Sequence, residues 1–182
     1  MAACYPRGSG SRTPLGCALR GLETDPMTQR VELATVLDRL AVDELVTGYA
    51  VAVDDGDWVA YRALFAPDGR ADYRDAGGVE GSAEEIARWL TQTMELFPVR
   101  QHLIVNRLVR FDSVDRDIGD TAHVQADYIN PMRFSGEGTA PDFVCGGRYA
   151  FGLVRTPGGW RLHRVTVHEK WRRTPERAPA GA

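Results

Sequence analysis

Apolar residues recur at helical spacing through the first half of the chain and at strand spacing through the second. Val42, Leu45, Val46, Tyr49, Ala50 and Val53 fall three and four residues apart, the stripe of an amphipathic helix with one buried face. Leu33, Val36, Leu37 and Leu40 make a similar stripe upstream, in the same helix or in a separate short one. Gly56 in DDGDW suits a left-handed helix cap, and Asp57 suits the N-cap of a second helix. That helix, Trp58 to Phe65, is expected to bury Trp58, Tyr61, Leu64 and Phe65 and to stop at Pro67. A short strand over Arg70 to Tyr73 and a glycine-rich turn follow. Ser82 and Glu85 have capping-box spacing for a third helix, with Ile86, Trp89, Leu90 and Met94 on its buried side.

After Pro98 the period becomes 2. Gln101 to Phe111, Thr121 to Met132, Phe143 to Arg155 and Trp160 to Trp171 read as long strands, with turns at FDSVDRDIGD and TPGG. Helices first and antiparallel strands after predict an α+β fold with the helices on one face of a sheet. Residues 1–26 are rich in Gly, Pro, Ser and Arg without periodicity and read as a disordered extension; residues 175–182 read as a disordered tail. One domain over residues 27–174 remains, in keeping with a 182-residue chain.

Composition narrows the chemistry. A hydrophobic fraction of 43% and a charged fraction of 26% are globular values. A net charge of −3 argues against a nucleic-acid partner, which calls for a strongly basic face. No apolar run approaches the length of a membrane span, so the chain is expected to be soluble. Lys170 is the single lysine, which leaves little room for Schiff-base chemistry. Cys4, Cys17 and Cys145 show neither disulfide nor zinc spacing, so no metal is expected and the cytoplasm is the default compartment.

The candidate chemistry lies in a few polar residues on otherwise apolar elements. Asp54 ends the long helix, where the macrodipole disfavours a carboxylate; it calls for a positive partner, or else joins Asp55 and Asp57 in a solvated turn. His102 opens a strand and shares a face with Ile104, Asn106 and Leu108 by alternation, so His102 and Asn106 read as polar points in an apolar pocket or as satisfied core groups. Tyr49 and Tyr73 are phenols able to donate to a developing oxyanion, or amphipathic core aromatics. Tyr128 alternates with His123, Gln125 and Asp127 and is placed on the pocket face as a substrate contact; a one-residue slip would exchange the two faces. Arg148 is a candidate anchor for an acidic ligand group, or a surface residue. His163 and His168, five apart on one strand, are expected on opposite faces.

DGDWVAYRALFAPDGRADY, GSAEEIARWL, QHLIVN and GGRYAFGLVRTPGGWRLHRVTVHEKW, in that order over Leu33 to Trp171, resemble the SnoaL-like branch of the nuclear transport factor 2-like superfamily. The resemblance implies a cone-shaped curved antiparallel sheet wrapped around the N-terminal helices and enclosing a pocket. Within that superfamily the chain is most similar to scytalone dehydratase and bile acid 7α-dehydratase. That similarity implies an aspartate–histidine dyad at Asp54 and His102, with Tyr49 and Tyr73 at the positions of those enzymes' tyrosines. It departs from scytalone dehydratase where that enzyme has a second catalytic histidine and this chain has Ile129, Asn130 and Pro131. For the arginine of the bile acid enzyme there are two candidate counterparts, Arg148 and Arg164.

The resulting expectation is a cofactor-independent acid–base enzyme, a dehydratase acting on a hydroxylated cyclic or polycyclic small molecule. The alternatives are a polyketide cyclase or double-bond isomerase using the same dyad, and a non-catalytic binding protein or small subunit of a ring-hydroxylating oxygenase. A homo-oligomer, dimer or trimer, is expected through the outer face of the sheet.

Overall fold

The computed structural model describes residues 26–112, 117–134 and 138–174; the segments read as disordered, up to residue 25 and from 175 onward, lie outside the described residues. Helix α1 (Pro26–Asp55) is continuous, so the upstream apolar stripe belongs to it. Proline at its first position leaves no donor unsatisfied. Val42, Val46, Tyr49 and Val53 are buried as expected, but Leu33, Val36, Leu37 and Leu40 are exposed. Nine residues, two and a half turns, separate Leu33 from Val42, which puts the two stripes on opposite sides of the helix.

Gly56 ends α1 with φ +68°, the left-handed conformation that favours glycine. Asp57 then caps α2 (Trp58–Ala63), accepting from the Ala60 N–H at 2.8 Å. The helix stops earlier than its apolar pattern suggests. The Leu64 carbonyl accepts from the Leu162 N–H at 2.8 Å, drawing the chain into a sheet, and β1 spans Phe65–Asp72. A 3₁₀ turn (Arg74–Ala76) and β2 (Glu80–Ser82) lead to α3 (Ala83–Met94). Its capping box is formed: Ser82 N–H donates to Glu85 at 2.8 Å and Glu85 N–H to the Ser82 hydroxyl at 3.3 Å. Ile86, Leu90 and Met94 are buried, and Trp89 packs on the core while half-buried.

The remaining strands are β3 (Val99–Arg100), β4 (Leu103–Phe111), β5 (Thr121–Arg133), β6 (Phe143–Thr156) and β7 (Gly159–Arg173). The sheet runs β2-β1-β7-β6-β5, with β3 and β4 both paired to β5. All pairs are antiparallel except β1 with β7, so the sheet is mixed rather than wholly antiparallel. Bulges bend it around the helices. In β7 an extra residue at His163 and another at Lys170 interrupt the pairing with β6; Gly147 sits opposite the second, where a Cβ would lie 2.1 Å from the His168 carbonyl oxygen. In β4 the register shifts between Val105 and Leu108, and Asn106 takes φ +53°.

The concave face carries Val124, Phe151, Leu153, Leu162 and Val165, packed against Val46, Tyr49 and Tyr61. Each such side chain removed from water contributes about 1.5–3 kcal/mol. Tyr49 is the hub, within 5.4–5.8 Å of the rings of Tyr61, Tyr149 and Phe151. The core therefore occupies the closed part of the cone, and the region between the ends of α1, α3 and β4 is left for a cavity.

Candidate active site

Asp54 lies in the last turn of α1, where unpaired helix carbonyls make a carboxylate unwelcome. Two features offset this. The Arg100 side chain donates to the Val53, Met94 and Phe97 carbonyls at 3.0–3.2 Å and so ties the C-terminal ends of α1 and α3 together. His102, two residues on, grips the Asp54 carboxylate twice: its backbone N–H donates to Oδ2 at 2.9 Å and its ring Nδ1 lies 2.6 Å from Oδ1. An ionised carboxylate only accepts, so Nδ1 carries the proton and Nε2 is the nitrogen left for other work. The imidazole is 7% exposed and the carboxylate 21%.

His102 lines a cavity of about 250 Å³. Trp89, Leu90, Met94, Phe97 and Phe143 make its apolar wall; Tyr73, Tyr128, Asn130, Glu169 and Arg172 supply its polar points. Tyr73 reaches the cavity and its hydroxyl hydrogen-bonds that of Tyr49 behind it. Burial, the largest cause, raises both phenols well above their usual range, as it raises Tyr128 and Tyr149. All four stay neutral and able to donate. Burial also lifts the Cys145 thiol to about 11, with a further contribution from Glu169, which makes it a poor nucleophile.

Register explains which polar groups meet. Arg100 pairs with Met132 and Leu103 with Ile129, so His102 stands across from Asn130. Asn130 in turn pairs with Cys145, and Cys145 with Arg172. One transverse row, from His102 at the junction of β3 and β4 through Asn130 and Cys145 to Arg172, thus crosses β5, β6 and β7, and every member lines the cavity.

The structure brings together Asp54, His102, Tyr49, Tyr73 and Tyr128. It does not bring Asn106 or Arg148 to the site. The β4 bulge reverses the alternation after Val105, so Asn106 and Leu108 face outward, where Asn106 donates to Asp127 at 3.3 Å. Arg148 pairs with Asp127 at 2.7 Å on the same outer face. Because the bulge at His163 resets the parity of β7, His163 and His168 are on one face, bordering an outer groove with His123 and Arg148. That groove is open to solvent and distant from the dyad; His123 pairs with Asp112 at 2.9 Å. Among the described residues no three His, Cys, Asp or Glu side chains gather as metal ligands would, and no helix is long and apolar enough to cross a membrane.

Sequence reasoning missed Glu169 and Arg172, which lie at the end of the last strand; the bulge at Lys170 turns Arg172 inward. Arg172 donates to Glu169 at 2.5 Å and to the Ala76 carbonyl at 3.0 Å, fastening the 3₁₀ turn beside Tyr73. Asn130 carried a usable signal, since it follows Tyr128 by two residues on the same face.

A mixed sheet curled around helices, with an inward dyad at one end, defines a cone-shaped fold of the nuclear transport factor 2-like superfamily. Within it, the model of the SnoaL-like domain matches residues 34–166, and the chain belongs to that family. A protein of Mycobacterium tuberculosis carrying no functional name is 37% identical over 134 residues, 74% of this chain and 86% of the relative. Among solved structures, a candidate aromatic ring hydroxylase from Novosphingobium aromaticivorans is 27% identical with a TM-score of 0.62, covering 75% of this chain and 91% of that one. A candidate scytalone dehydratase from the same organism shares the fold, at 19% identity and a TM-score of 0.64, covering 79% and 97%.

Proposed function

We propose that the protein is a cofactor-independent acid–base enzyme that dehydrates a hydroxylated cyclic or polycyclic small molecule. The observation that carries this reading is an imidazole fixed by a carboxylate at 2.6 Å on the wall of a largely apolar cavity. In this reading His102 Nε2 takes a proton from carbon next to a carbonyl, and Asp54 stabilises the imidazolium. Tyr73, oriented by Tyr49, donates to the enolate oxygen. The enolate then expels a β-hydroxyl, which leaves as water with the proton returned by His102. The low local dielectric strengthens each of these hydrogen bonds.

The reading extends to a cytoplasmic homo-oligomer joined through the outer sheet face, where Leu103, Val105, Leu108 and Ile129 are exposed. The test is turnover of a panel of cyclic β-hydroxy ketones, followed by growth of enone absorbance. His102→Ala should lower the rate by about 10³-fold. Full activity in that variant would remove the mechanism. Rearranged or ring-closed product without loss of water would assign isomerase or cyclase chemistry instead. No turnover together with a stable complex with a larger oxygenase subunit would assign a non-catalytic role.

A further inference from the structure

Asn130 is 4% exposed, faces inward from β5 and lines the cavity. The Tyr149 phenol lies beside its amide, a contact that lowers the phenol's pKa against the larger rise from burial. The Asn130 Oδ1 has no hydrogen-bond partner among the described residues. Buried amide oxygens are nearly always paired in folded proteins, so an orphan on a cavity wall marks where a ligand donor belongs.

Its neighbour across the ladder sharpens this. The flanking pairs Arg100–Met132 and Leu103–Ile129 set His102 across from Asn130, and opposed residues of such a ladder have Cβ atoms about 4.5–5.5 Å apart. With the His102 Nδ1 proton held by Asp54, Nε2 is an acceptor, and Asn130 Oδ1 is an acceptor too. Two acceptors side by side cannot satisfy one another. Both await hydrogens from the bound molecule.

The geometry points to Asn130 as the residue that selects the substrate's hydroxyl group, its Oδ1 accepting the hydroxyl proton while His102 works on the adjacent carbon. The inference rests on the acid–base reading of the His102 site and names what that site recognises: a β-hydroxy carbonyl compound whose O–H and acidic C–H are presented together. Holding the hydroxyl by its hydrogen turns an oxygen lone pair toward the imidazole. When the C–O bond breaks, its electron pair stays on oxygen, the electrons of the C–H bond become the new C=C bond, and the proton on His102 passes to the departing oxygen. The water released still donates to Asn130. An amide gives up no proton in this range of pH, so Asn130 positions the leaving group and His102 alone carries the proton.

The test is a binding comparison on the full chain by NMR titration, with 3-hydroxycyclohexanone, cyclohexanone and 3-methoxycyclohexanone as probes. The wild type should bind the hydroxy ketone about tenfold more tightly than either of the others, because the methyl ether keeps the oxygen but has no hydrogen to offer. Asn130→Leu should abolish that preference while leaving cyclohexanone affinity within about twofold. Equal binding of the ether and the alcohol by the wild type, a comparison that needs no variant, would overturn the inference; so would a preference that survives in Asn130→Leu. Turnover is scored separately. Dehydration without a hydroxyl preference removes the role of Asn130 and keeps that of His102; a preference without dehydration by any wild-type preparation does the reverse.

Discussion

Asp38 and Asp54 are sixteen residues apart on the same helix, roughly 24 Å along its axis, and both are acids set against the sheet. Asp38 accepts from Arg155 at 2.9 Å and from the Trp160 indole at 3.0 Å, and Arg155 reaches Asp120 at 3.2 Å as well. Asp54 accepts twice from His102. The acids are alike; the partners are not. A guanidinium never yields its proton, so the Asp38 cluster is a permanent tie between helix and sheet. An imidazole can pass a proton through its second nitrogen, and the His102 side chain lines a cavity. The contrast separates a charge pair that holds the fold from the one to which the proposed function assigns chemistry, although both are partly buried and both lie on α1.

Substitutions at the two acids should therefore part company. Asp54→Asn retains an oxygen for the His102 backbone N–H but no longer fixes the imidazole tautomer. Dehydration should fall by about 10³-fold, with the free energy of unfolding changed by no more than about 1 kcal/mol. Asp38→Ala should do the opposite, costing about 3 kcal/mol in urea unfolding because the Trp160 N–H loses its acceptor and Arg155 keeps only one of its two carboxylates, while the rate constant of the folded fraction stays near wild type. Equal stability losses at the two positions would erase the distinction.

The tyrosine pair sharpens the same point at smaller scale. Tyr73→Phe removes the phenol that lines the cavity and should lower turnover by about 10²-fold. Tyr49→Phe removes only the hydroxyl behind it and should cost about tenfold, read from kcat at saturating substrate. A larger effect at Tyr49 than at Tyr73 would reassign the direct donor.

Cys145 provides a pH test of the cavity wall. Burial raises its thiol from 9.0 to about 11, so native and unfolded chains are both protonated below pH 9 and no penalty arises there. Between pH 9 and 11 the unfolded chain ionises first, and stability is lost as pH rises. Relative to Cys145→Ala, the wild type should lose about 1 kcal/mol between pH 8 and pH 10, measured by denaturant titration at each pH. The smallest effect is expected on the outer face. Arg148→Ala should leave turnover within about twofold and stability close to wild type, because its pairing with Asp127 is screened by solvent.

The strands and the capped third helix were legible because their patterns are local: alternation over Thr121 to Met132 and a Ser82–Glu85 box each need only near neighbours. Asp54 and His102 were legible through a family likeness joined to the chemical oddity of a carboxylate at a helix C-terminus. What misled was parity. One extra residue at a bulge sends every later side chain to the other face, and this displaced Asn106 from the expected pocket, admitted Arg172 to the real one and put His163 and His168 side by side. Val105 and Asn106 look like ordinary strand residues, and no glycine announces the break.

The sequence by itself determined the order of elements, the α+β class, the buried stripe of α1 from Val42 to Val53 and the candidacy of the dyad, because periodicity, capping and residue chemistry act over a few positions. Only the tertiary structure decided that β1 runs parallel to β7, that the Leu33 to Leu40 stripe faces outward, and that Asn130 stands across from His102. Those facts depend on strand register and bulge position. Both are settled by packing between segments distant in sequence, where many pairings satisfy the same local pattern and only the closed core selects one.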